Sequence, residues 1–233
     1  MIDSNTKKTV IFDFGDTLAS TVPTYPDRIK IAIQKLGCPI SDKEFFEAYQ
    51  FADYQIYKDY ISSGTINSAV YQNSLFKILG TSIGFENAPE DLKEQVKKEL
   101  RDISYRRELL ENAGEVLEKF KSRDFKLAII SNNDGYTIDK CRELGINGYF
   151  ELVVDSTNVG MVKPDKRIYR YALEKLNIDA NDAVHIGDLY GADILGGINS
   201  GLDVIWFNHR NGKNFDGINV RQFFNLNEIL ESI

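Results

Sequence analysis

The stretch Val10-Ile11-Phe12-Asp13-Phe14-Gly15-Asp16-Thr17-Leu18 opens as an apolar run and stops abruptly on an acidic residue. A short apolar run bounded by turn residues reads as a buried strand. An acidic residue at the carboxyl end of such a strand stands where open α/β sheets place their chemistry. The C-terminal half has the pattern of a sheet of that kind. Helical spacing over Ala113 to Ser122 precedes the strand-like Lys126-Leu127-Ala128-Ile129-Ile130. A second helix, Tyr136 to Leu144, precedes Phe150–Val154, and a third, Arg167 to Leu176, precedes Ala183–Ile186. A short one, Gly191 to Asn199, precedes Val204–Phe207, and the tail from Asn225 to Ile233 reads as a terminal helix. Strands joined by crossover helices imply a parallel sheet with helices on both faces. The expected class is α/β, with a Rossmann-like core.

Between the first strand and that alternation lies a different pattern. Residues 19–26 hold Pro23 and Pro26 and show no periodicity, so they read as a loop. A helix from Asp27 to Leu36 stops at Gly37. Ser41-x-x-Glu44 is a capping box opening a long helix, with Phe45, Tyr49, Ala52, Ile56 and Tyr60 at three- and four-residue steps before Gly64. Further helices are expected over Ile66 to Leu79, ending at Gly80, and over Pro89 to about Ser104. Helices without an intervening strand indicate a separate helical subdomain. The expected organisation is a core of residues 1–18 and 105–233 with an insert of residues 19–104. The insert's many aromatics have the spacing of helix-packing residues.

The chain has 233 residues, 42% of them hydrophobic and 27% charged, as a globular protein requires. A formal charge of −7 argues against a nucleic-acid or anionic-membrane partner. It leaves an anionic substrate open, because a divalent cation and one lysine reverse the local field. Cys38 and Cys141 have neither a disulfide framework nor a metal-ligand spacing. The opening residues are polar and unlike a signal segment, and no apolar run approaches the roughly 20 residues of a membrane helix. The expectation is a cytoplasmic monomer or homodimer with no membrane partner.

Three later segments stand at strand ends or loops, as Asp13 does: Ser131-Asn132, Lys163-Pro164-Asp165, and Ile186-Gly187-Asp188 followed by Asp193. Each has a bland reading by itself, as a strand-end cap, an ordinary Ser/Asn turn or a surface lysine before proline. In this order, a carboxylate, a hydroxyl/amide pair, a lysine and an acidic pair resemble the four motifs of the haloacid dehalogenase-like hydrolase superfamily. The resemblance spans nearly the whole chain and implies a phosphatase-type member whose helical insert is a cap over the active site. It implies Asp13 as the nucleophile, forming an aspartyl-phosphate that water hydrolyses. Ser131 and Asn132, with Thr17 as a weaker candidate, would hold the phosphate oxygens. Lys163 would neutralise the phosphate and restrain Asp13. Mg²⁺ would be held by Asp13, Asp188 and the backbone carbonyl of Gly15, with Asp193 orienting Lys163 or metal-bound water. His185, inside a strand, reads as a packed histidine, and His209 has no evident partner.

One position departs from the family pattern. Most phosphatases of the superfamily read Asp-x-Asp-Gly-Thr, and Gly15 stands where the second Asp belongs. Glycine cannot protonate a leaving oxygen or activate water. Asp16 either takes over that acid/base role or holds the loop backbone, as Asp often does in turns. The leading expectation is a Mg²⁺-dependent phosphatase for a small phosphorylated metabolite, a sugar phosphate or nucleoside monophosphate. A faint pointer to those substrates is Val204-Ile205-Trp206-Phe207-Asn208, which is similar to the matching strand of such family members. The alternatives are a 2-haloacid dehalogenase, in which Asp13 attacks carbon without a metal, and a catalytically weak phosphate-binding or regulatory protein.

Overall fold

A computed structural model describes residues 8–85 and 91–232. Strand β1 (Thr9–Phe12) is buried throughout. Side chains alternate along a strand. Val10 and Phe12 therefore enter a cluster with Phe120, Leu127 and Ile186, whereas Ile11 enters another with Ile130, Ile168 and Tyr169. A central strand covered on both faces has no polar side to show, hence the unbroken apolar run.

After β1 the chain forms β2 (Ala19–Val22), which pairs antiparallel with β3 (Arg106–Leu109). This corrects the expected loop over 19–26. The partner strand lies at the far end of the helical insert, and a pairing so distant leaves no periodicity in either segment alone. Between the two strands lie α1 (Tyr25–Lys35), α2 (Asp42–Ser63), α3 (Ser68–Ser82) and α4 (Leu92–Leu100). They share an apolar cluster that includes Ile29, Ala52, Ile56, Phe76, Leu79 and Leu92. Ser41 caps α2 as expected: Glu44 N donates to Ser41 Oγ at 3.3 Å, and Ser41 N donates to the Glu44 carboxylate at 3.0 Å. Helix α3 continues through Gly80 to Ser82, since one glycine costs a helix only about 1 kcal/mol and packing offsets it. The expected start of the next helix, Pro89, lies outside the described residues, and α4 ends at Leu100, short of Ser104.

The remaining elements are α5 (Ala113–Ser122), β4 (Lys126–Ser131), α6 (Thr137–Glu143), β5 (Leu152–Asp155), α7 (Ser156–Val159), α8 (Lys166–Leu176) and β6 (Ala183–Gly187). A π-helical turn, Tyr190–Leu195, then runs into α9 (Gly196–Asn199), followed by β7 (Asp203–Phe207), β8 (Arg221–Phe223) and α10 (Leu226–Ser232). The six-stranded sheet has the order β5-β4-β1-β6-β7-β8, and every neighbouring pair is parallel. Strand β8 adds an edge strand to the expected set; its three residues, Arg221 to Phe223, carry no apolar run that would announce it. From β1 the sheet grows one way through β4 and β5 and the other way through β6, β7 and β8. The carboxyl end of β1 is thus the topological switch point, where an open sheet leaves a crevice.

Helix α2 leans on the core. The Tyr54 ring stacks on Phe215 at 4.5 Å, and its hydroxyl donates to Asp216 at 2.7 Å. Cys38 and Cys141 are free thiols. Among the described residues no helix is long and apolar enough to cross a membrane.

The β1 strand that presents Asp13 rests on Phe120, which is 0% exposed and meets Phe12 edge-on at 5.8 Å and Phe125 at 5.3 Å. Phe120→Ala should lower the unfolding free energy by roughly 3–5 kcal/mol in a urea titration, because the cavity lies beneath the central strand.

Candidate active site

Asp13 directly follows β1, and its backbone N–H donates to Ile186 O of the neighbouring strand at 2.8 Å. Lys163, from the loop before α8, is 1% exposed. Its Nζ donates to Asp13 Oδ1 at 2.6 Å, Asp193 Oδ1 at 2.7 Å and Ile130 O at 2.7 Å. An ammonium has three donors, and all are used. The lysine backbone is clasped in turn by Asn132: Nδ2 donates to Lys163 O at 2.9 Å, and Oδ1 accepts from Lys163 N at 2.8 Å. The Asn132 side-chain amide thus positions Lys163, and the residue lines the cleft as well. Ser131 closes β4, is 2% exposed and lines the cleft beside Asp13.

Asp188 follows β6. Asp13, Asp188 and Asp193 each bring a carboxylate oxygen within 4.8 Å of the others. The Asp193 oxygens are already engaged: Oδ1 by Lys163 and by His185 Nε2 at 3.1 Å, Oδ2 by Leu189 N at 3.0 Å. That leaves Asp13 and Asp188 as the carboxylates with oxygens to offer a hard cation, and an all-oxygen donor set fits Mg²⁺. Gly15, whose carbonyl was expected to join them, lines the same cleft.

Burial pushes the Asp13 carboxyl up to about 7, against the opposing pull of Lys163. Burial, then the carboxylates of Asp16 and Asp13, raise Asp188 well above the usual range. Burial acts on Asp193 in the same sense, but Lys163 and His185 overcome it and hold that group below the usual range. Burial alone would lower Lys163, and Asp13 and Asp193 reverse this, so it stays an ammonium. The carboxylates of Asp13, Asp16, Asp188 and Asp193 outnumber the two cations among them, Lys163 and Arg210, and a divalent cation would relieve the excess. His185 is buried between Ile11 O, 3.0 Å from Nδ1, and Asp193; the neutral ring can donate to only one of them.

Asp16 lies in the left-handed region at φ 57°, a conformation that Asp tolerates in tight turns. Its carboxylate accepts from the Ser20 hydroxyl and pairs with Arg210 Nη2 at 2.9 Å. Both bonds hold the turn, which favours the loop-holding reading over acid/base catalysis. Arg210 also reaches Asp188 at 3.4 Å. Thr17 is 0% exposed, its hydroxyl has no partner among the described residues, and it stands outside the set of cleft-lining residues.

The cleft itself has a volume of about 430 Å³ and runs from Asp13 to residues of α1 and α3. A larger open groove, about 780 Å³, lies on the far side of Arg210 and holds none of the strand-end carboxylates. Asp53 of α2 escaped the sequence reading. It is 2% exposed and accepts from Gly191 N at 2.5 Å and Ala192 N at 3.0 Å, in the turn that carries Asp193. Gly191 permits this approach: a Cβ there would come within 2.4 Å of Asp53 O. Burial pushes the Asp53 carboxyl up to about 7 despite the two N–H donors. A signal was available, since Asp53 interrupts the apolar face formed by Tyr49, Ala52, Ile56 and Tyr60. Arg210 was discoverable only by asking which polar residues follow β7 on the carboxyl edge of the sheet.

Comparison with known proteins agrees with this geometry. Residues 10–207 match the family model of the haloacid dehalogenase-like hydrolases. The chain belongs to that family. It is 32% identical over 177 residues to the pyrimidine 5'-nucleotidase YjjG of Escherichia coli, covering 75% of this chain and 76% of that one. It is 37% identical over 100 residues to a glyceraldehyde 3-phosphate phosphatase of Methanothermobacter thermautotrophicus, 42% of this chain and 43% of that one. The HAD-hydrolase YfnB of Bacillus subtilis, crystallised bound to magnesium, shares the fold with a TM-score of 0.66 at 22% identity, over 97% of this chain and 98% of that one.

His209 gives the site's surroundings a measurable pH dependence. Its ring stacks on Phe207 at 4.8 Å, and Nε2 is buried without a partner. Burial, then the charge of Arg210, lower its pKa from 6.5 to about 4. Between those values the unfolded chain binds a proton that the native ring refuses, so native stability falls as pH drops through that window. His209→Gln should flatten the loss between pH 7 and 4 by roughly 1–3 kcal/mol, read from urea unfolding at several pH values. An unchanged slope would show that the ring is hydrated in the native protein.

Proposed function

We propose that this haloacid dehalogenase-like hydrolase is a Mg²⁺-dependent phosphatase for a small phosphorylated metabolite. Residues 19–104 serve as its cap, joined by the β2–β3 ribbon to a core of residues 1–18 and 105–233. The observation that carries this reading is the Lys163 ammonium bonded to Asp13 and Asp193, with Asp188 facing Asp13. Lys163 occupies Asp13 Oδ1, which leaves Oδ2 to attack phosphorus. The bond from phosphorus to the leaving oxygen breaks, and an aspartyl-phosphate forms on Asp13; water then cleaves it. The ammonium neutralises the transferring group without any reorganisation, and Ser131 faces the same space. Mg²⁺, held by Asp13, Asp188 and the Gly15 carbonyl, would neutralise further phosphate charge. Asp193 keeps Lys163 in place, and Asn132 fixes its backbone.

The E. coli and M. thermautotrophicus relatives support a nucleoside monophosphate or sugar phosphate as substrate. A 2-haloacid dehalogenase needs no cation between Asp13 and Asp188, so the paired acidic site favours phosphoryl transfer. Against a non-catalytic binder stands Asp188, which faces Asp13 without any bond to Lys163 and is not required by that tie. Because Asp16 is tied to Ser20 and Arg210, the leaving-group proton comes from water or from the substrate itself.

Hydrolysis of p-nitrophenyl phosphate should require a divalent cation and stop on chelation. Asp13→Asn should reduce it by on the order of a thousandfold or more while the fold survives. Retention of the parent rate would end the covalent mechanism. A second substitution tests the missing acid. A Cβ at Gly15 would meet nothing within 4 Å, so an aspartate fits there. Gly15→Asp should speed alkyl phosphate cleavage by on the order of a hundredfold and aryl phosphate cleavage far less, since only alkoxides need a proton on departure. Equal effects on both classes would mean that leaving-group protonation does not limit the parent enzyme.

A further inference from the structure

The cleft is lined by the cationic side chains of Arg28, Arg107, Lys140, Lys163 and Arg210. All but one have an acidic partner. Arg107 pairs with Glu143 at 2.7 Å, Lys140 with Asp134 at 2.6 Å, Lys163 with Asp13 and Asp193, and Arg210 with Asp16 and Asp188. Arg28, on α1, has no carboxylate partner among the described residues, although it is only 9% exposed. Its Nε is buried with no hydrogen-bond partner among the described residues. Two tyrosines hold the group: the guanidinium carbon lies 3.9 Å from the Tyr105 ring centroid and 5.5 Å from that of Tyr25, and a side-chain hydrogen bond with Tyr105 takes up part of its donor fork. Ring faces engage the plane of a guanidinium and leave its N–H edge for in-plane acceptors. Both tyrosines line the cleft and are partly exposed, so the assembly faces the space that a substrate would enter. Burial lowers the pKa of Arg28, the two tyrosines oppose that, and neighbouring Arg107 adds a smaller repulsion.

A buried cation without a counter-charge is costly unless an anion completes it. We propose that Arg28, clasped by Tyr25 and Tyr105, binds a second anionic group on the substrate, a carboxylate or a second phosphate on the portion that leaves. The inference rests on the phosphatase reading above and narrows its substrate class to phosphate monoesters whose leaving portion carries a second anionic group, which keeps phosphorylated sugars with such a group and sets aside simple nucleoside monophosphates. Arg28 does no chemistry; it selects and orients. Its fork matches two oxygens of either anion.

The test compares kcat/KM for phosphoglycolate, ethylene glycol bisphosphate and hydroxyethyl phosphate, whose leaving portion is neutral, in the parent, Arg28→Gln and Arg28→Lys enzymes, with urea midpoints to verify folding. The parent should favour at least one anionic substrate over the neutral one by about tenfold or more, mainly through KM. Arg28→Gln should bring that ratio close to unity, and Arg28→Lys should keep part of it, since the charge remains and the planar fork is lost. Whichever anionic substrate leads identifies the recognised group. A parent without anion preference overturns the proposal even if no variant folds, and so does an Arg28→Gln enzyme whose ratio is unchanged or whose rates on all three substrates fall equally. Failure of the parent to cleave even p-nitrophenyl phosphate would instead overturn the phosphatase reading on which the proposal stands.

Discussion

One buried ammonium holds the candidate site together. Lys163 Nζ joins the carboxyl ends of three separate strands: Asp13 after β1, Ile130 O within β4, and Asp193 in the turn after β6. Removing one partner of a buried charge set leaves the others uncompensated, typically at a cost of about 3–5 kcal/mol. The lysine is therefore as much a structural tie at the switch point of the sheet as a participant in chemistry. Its position is fixed twice over, by its three acceptors and by the amide of Asn132 on its backbone. A nucleophile held this way keeps one oxygen bonded and the other free, with little conformational freedom to lose on the way to the transition state.

The helical insert extends this tie. Asp53 reaches from α2 to the backbone of Gly191 and Ala192, one step from Asp193, so the insert and the acidic turn share hydrogen bonds. Tyr60 adds another contact, its hydroxyl accepting from Lys166 N at 3.1 Å just beyond Lys163. In this arrangement the same helix that packs the insert also touches both loops that bring Lys163 and Asp193 together. Substrate-facing residues of the insert, Arg28 foremost, are thereby held at a defined distance from the strand ends.

Much of this was legible in the sequence, for physical reasons that differ by element. The central strand announced itself because burial on both faces demands an unbroken apolar run, and the capping box of α2 because two reciprocal hydrogen bonds need Ser41 and Glu44 three residues apart. The ribbon of Ala19–Val22 with Arg106–Leu109 was hidden because its order comes from a partner far along the chain. The partners of Asn132 and Thr17 were hidden for a related reason. Residue type shows what a side chain offers, whereas the neighbours that take up the offer, Lys163 backbone for one and none for the other, come from tertiary structure. Asp16 carried two readings in the sequence, and only the positions of Ser20 and Arg210 separate them. Arg28 lies inside the helical stretch expected from Asp27 to Leu36, and nothing in that pattern signals that it lacks a carboxylate partner among the described residues.

The central claim is that Asp13 becomes covalently phosphorylated. Rapid-quench sampling during turnover of a phosphate monoester, followed by peptide mapping, tests it most directly. A phosphoryl group should appear on the peptide that carries Asp13, form at least as fast as product, and decay when substrate is exhausted. Turnover at the full rate with that peptide unmodified throughout, or with the phosphoryl group on a different residue, would contradict the mechanism.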